Sequence, residues 1–271
     1  MGRNLKLVLS YDGTDFSGWQ VQPGRPTVQG ALAAALERVT GAHVLPQGSG
    51  RTDAGVHALA QVASCALEGD SAIPAENLVR ALNDLLPPAI RVLSVEEAPS
   101  DFHARLSARA KTYRYRIFRG SICPPFLARY VYHHPFPLDD DAICGAAPWV
   151  VGEHDFTSFA AVDPEKDRVA QPSPAVLVRS ARVAQLSPAV RSNVRTIFSS
   201  TWERQGEELI YTVRGSGFLH HMVRNLVGTF LLVGKGSLDE AGFRRILDSR
   251  NRSAAGSTAP AAGLSLVSVE Y

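Results

Sequence analysis

Two kinds of hydrophobic periodicity alternate along this chain, and the alternation limits the folds open to it. From Lys6 to Tyr11 polar and apolar residues alternate, the pattern of a half-buried strand. Asp12-Gly13-Thr14-Asp15 then has the composition of a turn. From Val28 the spacing changes. Val28, Leu32, Leu36 and Val39 recur at helical intervals, Thr27 stands where an N-cap belongs, and Gly41 supplies a stop, which predicts a helix to about Thr40. A second helix is expected over 74–86, closed by Pro87-Pro88. Strands are expected over 90–95, 112–118, 195–203 and 209–213, with a closing strand over 265–271. Strand pairs alternate with helices twice. The pattern implies an α+β fold of two α/β halves, residues 1–105 and 106–271, meeting near residue 105.

At 271 residues the chain is long enough for one large domain or two moderate ones. Cys65, Cys123 and Cys144 are odd in number and widely spaced, which excludes a disulfide framework and favours a reducing compartment. The first ten residues carry too short an apolar run for a signal peptide, and nothing approaches a membrane span, so a cytoplasmic protein is expected. The net charge is only +2, so nucleic-acid binding would have to be local rather than a property of the whole surface. One segment fits that demand. Arg105, Arg109, Lys111, Arg114, Arg116 and Arg119 follow one another without an acidic residue, as an RNA-binding face or as a solvated strand face.

From Ala161 to Asn193 the chain is rich in Pro, Ser and charge. Ser173-Pro174-Ala175-Val176 recurs as Ser187-Pro188-Ala189-Val190, the mark of a small duplication in an exposed loop where mobility, not chemistry, is expected.

The densest chemical cluster is Gly48-Ser49-Gly50-Arg51-Thr52-Asp53-Ala54-Gly55-Val56-His57-Ala58. Its glycines permit tight backbone and close approach of a ligand. A short carboxylate among small residues suits a pocket for a flat ring; the same residues also suit a surface turn with a capping aspartate. No phosphate-loop spacing is present. His57, four residues after Asp53, has no third ligand at metal spacing. The adjacent pairs His133-His134 and His220-His221 are poor chelators from a helix or a strand, so no metal is expected.

Gly50 through Ala58 resembles the signature of the TruA-type pseudouridine synthases. Tyr11-Asp12-Gly13-Thr14 with Gly18-Trp19-Gln20, Asp101 through Arg105, Lys111 through Tyr115, Asp155 through Phe159 and Phe218 through Gly228 resemble further segments of that family, in family order over essentially the whole chain. The resemblance implies the pseudouridine synthase fold, in which two halves with antiparallel or mixed sheets join into one central sheet around an active-site cleft. It also implies a tRNA substrate at uridines 38, 39 and 40 of the anticodon stem-loop, a homodimer binding tRNA across both subunits, and no cofactor. By the same resemblance Asp53 is the catalytic carboxylate, Tyr113 packs against the target base, and Arg51 takes the place of the extruded base. Arg224 pairs with Asp53 in that family, balancing its charge and fixing its orientation.

The chemistry agrees with so short a list. Making pseudouridine breaks the N1–C1′ bond of uridine, turns the base and joins C5 to C1′, with no redox change and no group donor. A carboxylate, a platform for the base and a route for the C5 proton suffice. Attack at C1′, attack at C6 and proton abstraction all remain open to Asp53. In a strand over 112–118, Tyr113, Tyr115 and Ile117 share one face and Arg114 and Arg116 the other. In a helix over 218–233, His220, His221, Arg224, Asn225 and Gly228 form a polar or small stripe that faces either a cleft or solvent. The rival readings are a non-catalytic RNA-binding protein, a synthase acting on another RNA site, and a nucleoside hydrolase or glycosidase. The last most often needs two carboxylates, and only one stands in a strong motif. The signature of a zinc deaminase is absent.

Overall fold

The computed structural model describes residues 2–67, 73–161 and 192–271. Ten strands form one sheet among these residues. The first half contributes β1 (Arg3–Tyr11), β2 (Gln47–Gly48), β3 (His57–Leu67) and β4 (Ile90–Ala98). The second contributes β5 (Ala110–Phe118), β6 (Tyr132–His133), β7 (Gly152–Asp155), β8 (Val194–Gln205), β9 (Glu208–Gly215) and β10 (Leu264–Glu270). The order across the sheet is β4-β1-β3-β10-β5-β9-β8-β7, with β2 on β3 and β6 on β5. The closing strand expected from the sequence is therefore the seam. β10 runs parallel to β3, pairing Ser265 with His57, and antiparallel to β5, pairing Leu266 with Tyr113. Asp53 lies just before β3 and Tyr113 lies on β5, so the seam brings two distant stretches of chain to one place.

Helix α1 (Val28–Thr40) has the ends its sequence prescribes. The Thr27 hydroxyl accepts the Gly30 amide, and Gly41 ends the helix at φ 72°. Its Val28, Leu32 and Leu36, with Leu78 and Leu82 of α2 (Ala75–Leu85), bury the Leu5, Leu7 and Leu9 face of β1. In the second half α3 (Asp140–Ala146), α4 (Met222–Gly234) and α5 (Glu240–Ser249) continue the same core. Phe230 stacks on Phe243 at 5.2 Å and lies 5.4 Å from Tyr211. Tyr113, Tyr115 and Ile117 are buried on one face of β5 while Arg114 is exposed and Arg116 half-buried on the other, as the alternation predicts.

Two expectations change. The helix expected from residue 218 begins only at Met222, because His221 takes the left-handed conformation (φ 59°) and cannot continue a helical turn backwards. Strand β3 was not expected at all. It is buried on both faces along most of its length, so its sequence shows no alternation. The duplicated Ser-Pro-Ala-Val elements lie outside the described residues.

Candidate active site

The Asp53 loop is held from several directions. Trp19 donates its amide to the Thr52 carbonyl at 3.0 Å, and the Thr52 hydroxyl meets the Tyr11 hydroxyl at 2.8 Å. Gln61 donates to the Gly50 carbonyl at 3.0 Å and accepts from the Ser49 hydroxyl at 2.7 Å. Lys111 reaches in from β5 to the Ser49 carbonyl at 2.5 Å. Two glycines are required here. At Gly18 (φ 92°) a Cβ would lie 2.6 Å from the Thr52 carbonyl oxygen. Gly55 (φ 77°) lets the chain turn back so that Val56 donates to the Asp53 carbonyl at 3.1 Å. The bonded turn leaves the Asp53 side chain mostly shielded, with 17% of its surface exposed.

Arg224, on the first turn of α4, donates through Nη1 to Asp53 Oδ2 at 2.9 Å and through Nε to the Ala259 carbonyl at 2.7 Å. The residues are 171 positions apart in sequence. A guanidinium bonded at both ends is a fixed plane, and it leaves the carboxylate little freedom to rotate. The helix behind it is anchored by contact between backbones. A Cβ on Gly228 would lie 1.7 Å from the Ser257 carbonyl oxygen, and one on Gly256 would lie 2.4 Å from the Gly228 carbonyl oxygen. Asn225 is fully buried and links the same segment to the rest of the half: it donates to the Phe159 carbonyl and accepts from Arg252 and Thr258. The stripe of Arg224, Asn225 and Gly228 thus faces Asp53 at its start and a packed loop beyond it, not solvent.

Tyr113 lies near the carboxylate, edge-on to Phe218 with ring centroids 5.0 Å apart. Burial raises its phenol pKa above the usual value, and the neighbouring Tyr11 and Asp53 add to the effect, so the ring stays neutral. Arg51 is exposed at the mouth of the loop. Asp53, Arg224 and Tyr113 are thus gathered in one place, with Arg51 two residues away along the chain.

His57 is turned elsewhere. Its Nδ1 accepts the Gly13 amide at 3.1 Å and lies 3.2 Å from Asp12, and its ring lies 5.2 Å from that of Tyr130. Burial lowers its pKa, against the pull of Asp12.

Both histidines before α4 approach Asp53, which sequence reasoning missed. His220 Nε2 is 3.5 Å from Oδ1, and His221 Nε2 is 3.4 Å from Oδ2. Neighbouring side chains diverge from a helix or a strand, but the left-handed backbone at His221 makes these two converge, with ring centroids 3.9 Å apart. Burial lowers the His221 pKa; Asp53 opposes the shift, and His220, Arg224 and Arg252 reinforce it. Gly215-Ser216-Gly217 just upstream was the available signal that no helix runs through this stretch.

A cationic cluster borders the loop. Burial lowers the Lys111 pKa to about 8, and the nearby charges of Arg105 and Arg195 press it the same way. None of the three has a carboxylate partner among the described residues, whereas Arg116, Arg119 and Arg214 lie beside Glu208, Asp140 and Glu270.

A family profile described as tRNA pseudouridine synthase matches residues 7–106 and 178–271. The chain is 51% identical over 269 residues to tRNA pseudouridine synthase A of Solibacter usitatus, covering 99% of this chain and 100% of the relative. It is 44% identical, at the same coverage, to the protein of that name from Brevibacillus brevis. It is 40% identical to the one from Latilactobacillus sakei, over the full length of both. With full-length identity at this level and a profile spanning both halves of the sheet, the chain belongs to the tRNA pseudouridine synthase family, isomerases that convert uridine in tRNA to pseudouridine.

Proposed function

We propose that Asp53 is the carboxylate on which the isomerisation depends, and that the uridines it serves are positions 38, 39 and 40 of the anticodon stem-loop. The observation that carries the first part is the clamp: a shielded carboxylate held at 2.9 Å by a guanidinium that is itself tied to the backbone at 2.7 Å. A reaction that breaks and remakes a bond at one sugar carbon needs a reacting group of fixed direction, and the clamp supplies it. Tyr113 is the platform for the base, neutral and shielded, and Arg51 fills the gap the extruded base leaves in the stem. Residues 1–105 carry the reacting carboxylate, and residues 106–271 carry the groups that orient it and receive the base. No cofactor has a task in this scheme, because the uracil ring leaves C1′ and returns to it through C5 with no net gain or loss of electrons.

Lys111, Arg105 and Arg195 form the seat for RNA phosphates beside the loop, which accounts for a nearly neutral protein that acts on a polyanion. The working form is a homodimer holding tRNA across two copies, supported by the exposed apolar side chains Ile122, Phe126 and Phe136 in one stretch of chain. The compartment is the cytoplasm, in keeping with three free thiols. Among the described residues no helix is long and apolar enough to cross a membrane.

The test uses tRNA carrying tritium at uridine C5, with variants of the substrate lacking uridine at 38, 39 or 40. Wild type releases tritium with the base retained in the RNA, and Asp53→Asn releases none. Free uracil would convert the reading to hydrolysis. Release that persists when all three uridines are replaced would move the site elsewhere in the tRNA. Light scattering on the same sample should give twice the mass of one chain, and a single-chain mass would remove the dimer.

A further inference from the structure

The convergence of two histidines on one carboxylate has a chemistry of its own. Ligand atoms of Asp53, His220 and His221 all lie within 4.8 Å of one another. The two nitrogen-to-oxygen distances are 3.5 Å and 3.4 Å. A tetrahedral ion with bonds of about 2.0–2.1 Å places its ligand atoms about 3.3–3.4 Å apart along each edge. His220 Nε2 and Oδ1 therefore stand near the edge length of a filled shell, while His221 Nε2 keeps that spacing to Oδ2, so its ring has to turn toward Oδ1 to share the ion. Arg224 binds Oδ2, which leaves Oδ1, the oxygen facing His220, free to coordinate.

We propose that Asp53, His220 and His221 form a binding site for zinc-class divalent ions, and that filling it inhibits the enzyme. Two imidazoles and a carboxylate suit Zn²⁺, Co²⁺ or Ni²⁺ and not Mg²⁺ or Ca²⁺, which prefer all-oxygen shells. The ion takes the lone pair of the carboxylate and sets a positive charge about 2 Å from it, so Asp53 can neither attack carbon nor accept a proton while the ion is bound. The ion is thus an inhibitor and not a cofactor. Two features keep the site weak enough to be reversible. The Arg224 guanidinium repels a cation, and His220 Nδ1 is buried with no hydrogen-bond partner to orient the ring. The inhibitory half of the proposal rests on Asp53 being the reacting carboxylate; the binding half does not.

Chelator-treated protein would be titrated with Co²⁺, read by the visible absorption of the bound ion, and then with Zn²⁺ in competition. The same titration would be repeated in the tritium-release assay with excess Mg²⁺ as control. The expected result is one site per chain, loss of tritium release in step with its occupancy, and recovery on adding chelator. His221→Asn keeps a residue that tolerates the left-handed backbone, and His220→Gln removes the other ring without touching that backbone. Each is expected to weaken Zn²⁺ at least ~10-fold, since loss even of a group that merely orients a ligand costs that much. Failure of wild type to take up Co²⁺ would overturn the site, as would unchanged binding by Asp53→Asn or by both histidine variants. Binding without inhibition, in an enzyme that releases tritium, would overturn the inhibitory role. Binding by a protein that releases no tritium at all would leave the metal site standing and remove the catalytic reading instead.

Discussion

Arg224 joins two things a planar cation can join at once, the Asp53 carboxylate and the Ala259 carbonyl. A lysine in its place would carry the charge without the fork, and could not hold both partners in one plane. Arg224→Lys is therefore expected to lower single-turnover tritium release about 100-fold, the usual cost of a reacting group displaced by an ångström, with tRNA affinity little changed. Arg224→Gln should fall further. A lysine variant with wild-type rate would show that charge alone matters and that the fixed plane does not. At this scale the sequence offered residue types but not distances. Asp53 stood out because small residues crowd around it, and Tyr113 only because it falls at the family's position. The 171-residue separation of Asp53 from Arg224 was bridged only by resemblance. His220 and His221 were legible as residues and illegible as a pair, because their convergence depends on one backbone angle that composition does not encode.

The position of Arg224 depends in turn on how closely α4 lies against the chain at 256–259. Gly228 and Gly256 meet backbone to backbone, and nothing larger than hydrogen fits on either. Gly228→Ala would set a methyl 1.7 Å from the Ser257 carbonyl oxygen, so helix and loop must separate. A loss of about 3 kcal/mol or more is expected, read from the shift in denaturant midpoint, with a fall in activity as the Ala259 carbonyl leaves Arg224. Gly145 is the control, since a Cβ there meets nothing within 4 Å inside α3. Gly145→Ala should stabilise by about 0.5–1 kcal/mol through helix propensity alone. If both substitutions fell within about 0.5 kcal/mol of wild type, the close approach would not be structural. Elements were readable in proportion to how local their causes are. Helix α1 is written in full by Thr27, Gly41 and four apolar positions. Strand β3 and the start of α4 are not, because one is buried on both faces and the other is delayed by a left-handed residue.

Over the whole molecule, several of the basic side chains along the sheet are matched by a neighbouring carboxylate. Arg116 and Arg214 are each bound to a carboxylate, Glu208 and Glu270, on the face away from Tyr113. The basic run seen in the sequence thus divides into a neutralised part and a free part, and a count of charges along the chain cannot make that division. Among the described residues Arg105, Arg109, Lys111 and Arg114 of the run have no carboxylate partner, and Lys111 and Arg105 lie with Arg195 beside the Asp53 loop. Burial, and after it the charges of Arg105 and Arg195, make the charged form of Lys111 unfavourable and lower its pKa to about 8. The sign follows directly. Below pH 8 the ammonium is present and an RNA phosphate gains from it; as pH rises through 8 the free protein loses the proton, and binding must take it up again. Wild-type affinity for tRNA is therefore expected to fall between pH 7 and pH 9, with proton uptake on binding visible as a buffer-dependent heat. Lys111→Met should bind more weakly at pH 7, lose most of that pH dependence, and reduce the slope of log affinity against log salt by about one. A variant that keeps both the wild-type salt slope and the wild-type pH profile would mean that the phosphate lies elsewhere and that Lys111 serves only to hold the Ser49 carbonyl. In that case the affinity would be untouched and the rate would fall instead, because the loop carrying Asp53 would have lost one of its supports.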